Sequence, residues 1–483
     1  MSKKLAKQSL LLVSAAVASG CTTAKQAEKL PNIVFILADD LGWGDLGCYG
    51  QQLFETPNID SLAARGLRFT QCYSGTTVSA PSRSCLVTGT HSGHTAIRGN
   101  LELDPEGQFP LPHGASTIFH DLQAAGYRTG AFGKWGLGYI GTSGDPQAQG
   151  IDSFYGYNCQ LLAHSYYPDH LWDNDTRVEL ADNNENVPYG QGTYSQDLIH
   201  ARALEFIDQA AADGQRFFLW YPTIIPHAEL IVPEDSIIVK HRGLYPETPF
   251  RGVTEGMPGF RKGGYYSQDY PHATFAAMVS RLDTYVGQIV DKLREDGLLE
   301  NTVIIFASDN GPHKEGGADP DFFDSNGPWR GYKRDVYEGG IRVPMIVSWP
   351  GHVVEGAETD FMCSFWDMMP TLRDLTGNGE TQGLDGVSLL PLLSGADGQQ
   401  EHDFLYFEFQ ELGGRQAVRK GPWKLVRLNV RGESPVMELY NLDDDPGETV
   451  DLAASCPDKV AELYAIMESA HIPNPVFPLL PGE

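Results

Sequence analysis

Cationic side chains are scarce in this chain. Thirty-five lysines and arginines stand against 63 aspartates and glutamates, giving a formal net charge of -28 over 483 residues. That surplus argues against nucleic acid as a partner, because a phosphate backbone is repelled. It also sets a condition on any anionic ligand, which must find a local cluster of cations to overcome the overall field. Cysteine is sparse, seven residues with no Cys-x-x-Cys pair, which argues against zinc and dithiol redox motifs. Beyond the N-terminal segment no stretch is apolar enough to cross a bilayer. What remains, 41% apolar and 20% charged residues, is ordinary globular composition, long enough for one large core and a smaller satellite domain.

The N-terminal segment is of another kind. Lys3, Lys4 and Lys7 precede an apolar run from Leu10 to Ala18, the pattern of a targeting signal. It ends in Ala18-Ser19-Gly20-Cys21, and small residues directly before a cysteine resemble the lipobox of bacterial lipoproteins. Residues 1–21 are therefore expected to be a lipoprotein-type signal segment, with lipidation at Cys21 as the only membrane attachment. An ordinary signal peptide with an incidental cysteine is the alternative. Both readings export the protein, to the periplasm or the cell surface. Export permits disulfides among Cys48, Cys72, Cys85, Cys159, Cys363 and Cys456, but spacing does not define their connectivity.

From residue 29 to 395 apolar strands alternate with amphipathic helices, which predicts an α/β sheet covered on both faces. Asn32 to Leu37 is a continuous apolar run suited to a buried central strand. Further strands are expected at Tyr127 to Phe132, Phe217 to Tyr221, Val303 to Ala307 and Val343 to Trp349, and helices at 116–125 and 272–296. Two long polar stretches, 141–193 and 228–270, read as loops walling a substrate pocket, or as surface decoration. Residues 396–483 change character. Short strands at Phe404 to Phe409, Gln416 to Val418, Trp423 to Leu428 and Val436 to Leu442, then a helix from Pro457 to Ser469, predict a small antiparallel sheet plus helix.

Four expected strands end in residues suited to chemistry. Asp39 and Asp40 follow the first, Lys134 the second, His227 comes soon after the third, and Asp309 and Asn310 follow the fourth. Ligands of open α/β sheets bind at the carboxyl ends of the strands, so these side chains are expected in one crevice. Like charges gathered there must titrate or bind a cation, and an oxygen-only set favours calcium over softer metals. Paired acids after strands also cap helices or bind solvent, and composition alone does not decide. In Ser79-Ala80-Pro81-Ser82-Arg83, Pro81 suits a first helical turn, which places Ser79 at an N-terminus ready for an anion. A simple cap and turn is the bland alternative.

Ser79 to Gly89 resembles the signature of the type I, formylglycine-dependent sulfatases, Cys-or-Ser-x-Pro-Ser-Arg followed by Thr-Gly. The likeness extends over nearly the whole chain, through Asn32 to Asp40, Thr56-Pro57-Asn58-Ile59-Asp60, Ser308-Asp309-Asn310-Gly311, Gly421-Pro422-Trp423-Lys424 and Leu439-Tyr440-Asn441-Leu442. It implies an alkaline-phosphatase-like fold, a large mixed sheet sandwiched by helices with the smaller C-terminal sheet and helix. It implies hydrolysis of a sulfate ester by formylglycine made from Ser79, which a sulfatase-maturing enzyme would oxidise. One calcium is expected on Asp39, Asp40, Ser79, Asp309 and Asn310. Arg83 would support the formylglycine hydrate, Lys134 and Lys333 would hold sulfate oxygens, and His227 would serve the leaving group. Arg330 and Arg334 are neighbours that could exchange roles with Lys333. Where the family often has Lys-Trp-His-Leu-Gly, this chain has Lys134-Trp135-Gly136-Leu137-Gly138, and His313 is expected to enter the vacated space or to touch substrate. The expected substrate is a sulfated carbohydrate, with galactose or N-acetylgalactosamine preferred. His164, Trp172, Arg177, Glu408, Gln410 and Arg415 are candidate sugar contacts, with a buried packing role open for Trp172. A phosphodiesterase or phosphonate monoester hydrolase on the same scaffold, or an inactive sugar-binding lipoprotein, are the competing readings.

Overall fold

The first strand, Asn32–Ala38, is buried at every position, and its side chains divide between two cores. Val34, Ile36 and Ala38 face one side of the sheet, while Ile33, Phe35 and Leu37 face the other. The period of two along a strand requires this division when both faces are covered. In the computed structural model, which describes residues 30–184, 187, 190–252 and 265–483, this strand lies near the middle of an 11-stranded sheet. The expected signal segment and Cys21 fall outside the described residues. Parallel pairing runs through Thr302–Ser308, Asn32–Ala38, Phe217–Pro222, Arg128–Lys134 and Ser153–Tyr157. Antiparallel strands flank that block: Arg342–Ser348 and then Leu67–Tyr73 on one side, His170–Asp173 and Thr176–Glu179 on the other. The sheet is therefore mixed, as expected.

Helices cover both faces. Pro271–Glu295 presents Met278, Val279, Leu282, Val286 and Ile289 to one core, beside Ser195–Asp213, which brings Ile199, Ala203 and Phe206. On the other face pack Ile118–Ala124, Met368–Thr376 and the Ser79–Thr88 helix. The four strands Leu405–Phe409, Arg415–Lys420, Trp423–Leu428 and Val436–Asn441 form a separate antiparallel sheet in sequential order. Its Tyr406, Val418, Leu425 and Leu439 pack on Leu463 and Met467 of the helix Pro457–Ala470. Its opposite face carries Leu405, Phe407, Ala417 and Val426 against Tyr73, Val336 and Trp366 of the main body.

The stretch 141–193 is not a continuous loop, since it contains Ser153–Tyr157, His170–Asp173 and Thr176–Glu179 and extends the sheet by three strands. The last two form a hairpin whose turn holds Asn174 at φ 51°, a conformation Asn tolerates. Short edge strands carry polar residues, so their apolar alternation is weak. All six cysteines from Cys48 to Cys456 are free thiols. No helix among the described residues is long and apolar enough to cross a membrane.

Candidate active site

The carboxyl ends of the parallel strands meet in one buried cluster. Asp39 and Asp40 leave the first strand, and Asp40 adopts φ 62°, while its N–H donates to Asp309 Oδ1 at 3.1 Å. Extended backbone would point consecutive side chains to opposite faces. The left-handed residue breaks that alternation and brings both carboxylates to the crevice. Ser79 is the first residue of its helix, where Ala80 N–H donates to Asn100 Oδ1 at 3.1 Å. Its Oγ donates to Asp39 Oδ1 at 3.0 Å and lies 3.2 Å from Lys134 Nζ. Arg83, one turn on and fully buried, donates through Nε and Nη2 to Asp309 Oδ2 at 3.1 and 2.9 Å, and through Nη1 to Lys134 O at 2.7 Å. Gly133, just before Lys134, has φ 138° and backs onto Pro222 O so closely that a Cβ would sit 2.0 Å from it. Only glycine permits that approach.

Lys134 Nζ donates to Asp39 Oδ2 at 2.6 Å, and Lys333 Nζ to Asp40 Oδ2 at 2.8 Å. Of the three neighbouring cations, Lys333 is the one that bonds an aspartate of the cluster. Arg330 instead bonds Tyr440 and the Glu448 carbonyl at 2.9 Å each, and Arg334 pairs with Glu315. Lys333 Nζ also lies 3.0 Å from His227 Nε2, so this nitrogen accepts, while Nδ1 donates to Ala228 O. His227 stacks between two further imidazoles, His164 at 5.0 Å and His313 at 5.6 Å. Glu315, which the sequence reading missed, completes this corner at 3.6 Å from Lys333 and 3.2 Å from His313. Its one legible signal was its place in the loop that already carries Asp309, Asn310 and His313.

Burial and mutual charge set the protonation states. Burial raises the Asp39 carboxyl, but Lys134 and the other cations outweigh it and hold it far below the usual range. Asp309 goes the other way, pushed up to about 6 by burial and by the Asp39 charge. Burial lowers Lys134, whereas in Lys333 the charges of Asp40 and Glu315 overcome burial and raise it. His227 is driven well below its ordinary value by burial and the Lys333 charge, and His164 to about 3 by burial and Lys134. His313 is raised, because Glu315 and Asp40 outweigh its burial.

The donor set suits a hard divalent ion. Asp39, Asp40, Asp309 and Asn310 offer oxygen ligands only, and Asn310 Oδ1 is a buried acceptor with no partner while its Nδ2 donates to Asp40 Oδ1 at 2.7 Å. An orphaned buried acceptor beside three carboxylates is the arrangement a cation would satisfy.

The remaining candidates are spread around this centre. Gln410 packs on Gly99, next to the Asn100 that caps the Ser79 helix. Arg415 bonds the Arg334 carbonyl at 2.9 Å and Asp335, beside Lys333. Glu408 is turned inward, its carboxylate taken by Arg98, Tyr406 and His471. Trp172 donates to Glu106 Oε1 at 2.7 Å, and Arg177 lines a cavity of about 720 Å³ with Glu102, Glu106, Asp169 and His170. These three do not join the cluster. Nor does His313 enter the space beside Gly136, because it lies against His227 with Nε2 on Pro226 O at 3.1 Å.

A profile of the sulfatase family matches residues 31–378, and one described as N-sulphoglucosamine sulphohydrolase, C-terminal, matches residues 327–469. The chain belongs to the sulfatase family. This sulfatase is 31% identical to arylsulfatase A of Homo sapiens over 514 residues, covering 97% of the chain and 90% of the relative. It is 30% identical to N-acetylgalactosamine-6-sulfatase of Sus scrofa over 414 residues, covering 80% of the chain and 69% of the relative. Among solved structures it resembles Ps i-CgsB in complex with k-i-k-neocarrahexaose, with TM-score 0.74, 27% identity and coverage of 91% and 92%. The fold is thus that of the alkaline-phosphatase-like sulfatases, and the enzyme is a sulfuric ester hydrolase.

Proposed function

We propose that this sulfatase hydrolyses a sulfate monoester on a carbohydrate, using formylglycine made from Ser79 and calcium held by Asp39, Asp40, Asp309 and Asn310. The observation that carries this reading is the seat of Ser79 Oγ, between Asp39 Oδ1 at 3.0 Å and Lys134 Nζ at 3.2 Å. Once formed and bound, formylglycine supplies a hydrated aldehyde oxygen as nucleophile, and calcium supplies fixed positive charge. The protein's own groups do the rest. Sulfuryl transfer spreads charge over the equatorial oxygens, so positioned cations lower its barrier, as in phosphoryl transfer. Lys134 and Lys333 would each hold a sulfate oxygen. Arg83 fixes Asp309, whose raised affinity for protons suits it to take one from the nucleophile. His227 Nε2 accepts from Lys333, so the Lys333 ammonium, oriented by His227, would supply the proton to the departing alcohol as its bond to sulfur breaks.

For the sugar, galactose or N-acetylgalactosamine remains the preferred reading, supported by the name of the Sus scrofa relative, while the neocarrahexaose of the Ps i-CgsB complex supports a carbohydrate substrate. Of the candidate contacts, His164 stacks on His227, and Arg415 bonds Asp335 two residues after Lys333. Export with a lipid anchor at Cys21 and oxidation by a maturing enzyme belong to the same proposal. Mass spectrometry of the Ser79 peptide from the native host, with matched sulfate and phosphate esters as substrates, tests it. An aldehyde at that position and preference for sulfate are expected. Full activity on sulfated sugars from an unoxidised serine would overturn the mechanism.

A further inference from the structure

The residue two places after Lys134 is a glycine, and its surroundings show what fills the place of the missing side chain. Gly136 has φ 72°, and a Cβ built there would come 2.4 Å from Gln160 Nε2. The two segments run side by side past the end of the sheet. Lys134 is in register with Tyr157, Trp135 N–H donates to Tyr157 O at 2.9 Å, and Gly136 N–H donates to Asn158 O at 3.2 Å. The volume available to a side chain at 136 is therefore held by the Gln160 amide.

That amide is 3% exposed, and its Nε2 has no hydrogen-bond partner. The residue is not loosely placed, because its backbone N–H is anchored on Gln108 Oε1 at 3.2 Å. Two neighbours share the condition. Asn158 Oδ1 and His164 Nδ1 are buried and unpartnered, and the His164 ring stacks on His227. Native folds rarely leave buried polar groups unpaired. Three within seven residues, on the segment that runs past Lys134 towards His227, indicate a wall completed by a ligand.

Resting on the sulfate-ester reading above, we propose that Gln160 donates from Nε2 to a sulfate oxygen, in the place where the family often carries an imidazole. The donor at this position is then a neutral amide. It can orient the sulfate and stabilise its charge, but it can neither give nor accept a proton during turnover. The proton traffic then falls to Lys333, His227 and Asp309.

The test uses full-length, matured protein with Gln160→Leu and Gln160→Glu, 4-nitrophenyl sulfate as substrate and inorganic sulfate as competitive inhibitor. Loss of one donor to an anion predicts a fall of about 10- to 100-fold in kcat/KM and roughly tenfold weaker inhibition by inorganic sulfate for the leucine variant. The near-isosteric glutamate variant should lose more, because its charge repels the anion. Inhibition within twofold of the parent in either folded variant overturns the proposal, and a packing defect alone would not weaken sulfate selectively. If the parent leaves 4-nitrophenyl sulfate untouched, its selectivity excludes aryl esters, and the sulfate-ester reading is then judged on sulfated sugars. Calorimetry of inorganic sulfate with the same variants then still decides this inference, unchanged affinity refuting it.

Discussion

Replacing Lys424 by methionine should unfold this protein more readily, and increasingly so as pH rises. Lys424 lies on the second-last strand of the small sheet, and its Nζ is 2.9 Å from both Glu338 and Glu448, with all three side chains fully buried. Glu338 also takes the Tyr73 hydroxyl at 2.6 Å and Arg342 at 3.2 Å, so the ammonium ties the small sheet to the loop that presents Lys333. Removing one partner of a buried ion pair costs about 3–5 kcal/mol. The pH dependence identifies the cause. Burial pushes Glu448 up to about 7 from 4.5, with Glu338 adding to the rise and Lys424 opposing it. A carboxyl raised in the fold makes the protein less stable as pH climbs from its unfolded value through its folded one. For the parent, that loss between pH 6 and 8 is about 1.4 kcal/mol. Without Lys424 one carboxyl must stay protonated throughout, and the loss becomes about 2.7 kcal/mol. Thermal unfolding followed by circular dichroism at a fixed scan rate should show a midpoint lower by about 3–6 °C at pH 8, with a smaller gap at pH 6. An equal gap at both pH values would refute the electrostatic account and leave only lost packing.

Three further outcomes follow from the active site. His227→Ala should slow hydrolysis of an alkyl sulfate by about 10²–10⁴-fold and that of 4-nitrophenyl sulfate much less, because a good leaving group needs no proton. Equal losses would remove His227 from the leaving-group side. Ser79→Ala should abolish turnover while inorganic sulfate still binds within a few fold by calorimetry, which separates the nucleophile from the cations that hold the anion. Glu315→Gln frees Lys333 and Arg334 of their shared carboxylate, so KM for 4-nitrophenyl sulfate should change by about three- to tenfold with kcat less affected. A change confined to kcat would contradict that role.

The central strands were legible because burial on both faces leaves an uninterrupted apolar run, as in Asn32 to Leu37 and Val303 to Ala307. The helix Pro271–Glu295 was legible by its spacing and by Gly297 beyond its end. The edge strands were not, since His170–Asp173 and Thr176–Glu179 carry charge that contacts solvent or other loops and leaves no alternation to read. Within the site the same division holds. Residues directly at strand ends, such as Asp39, Lys134 and Asp309, declare themselves by position. Groups that act from loops do not, and Glu315 and Gln160 become visible only when the backbone brings residues 315 and 333, or 136 and 160, together. Glu408 shows the converse error. It stands on a strand at the right end of the small sheet, yet Arg98 and His471 turn it inward. No local pattern encodes that choice, which depends on partners 310 and 63 residues away.

The charges around Ser79 nearly cancel, and this leads to a last expectation. Asp39, Asp40, Asp309 and Glu315 face Arg83, Lys134, Lys333 and Arg334 through the ion pairs already described, while burial keeps His164 and His227 neutral. A balanced cluster gives an anion no reason to approach a protein of net charge -28. A divalent ion on the oxygen ligands would tip the balance by two positive charges. At a separation of about 6 Å and an effective dielectric of about 20, each pair of unit charges is worth about 3 kcal/mol, so even heavy screening leaves a large effect. Inorganic sulfate titrated calorimetrically into protein stripped by a chelator should bind at least about tenfold more weakly than into protein reloaded with calcium. Equal affinity in the two preparations would mean that the lysines alone hold the anion and that the acidic cluster serves some purpose other than a cation.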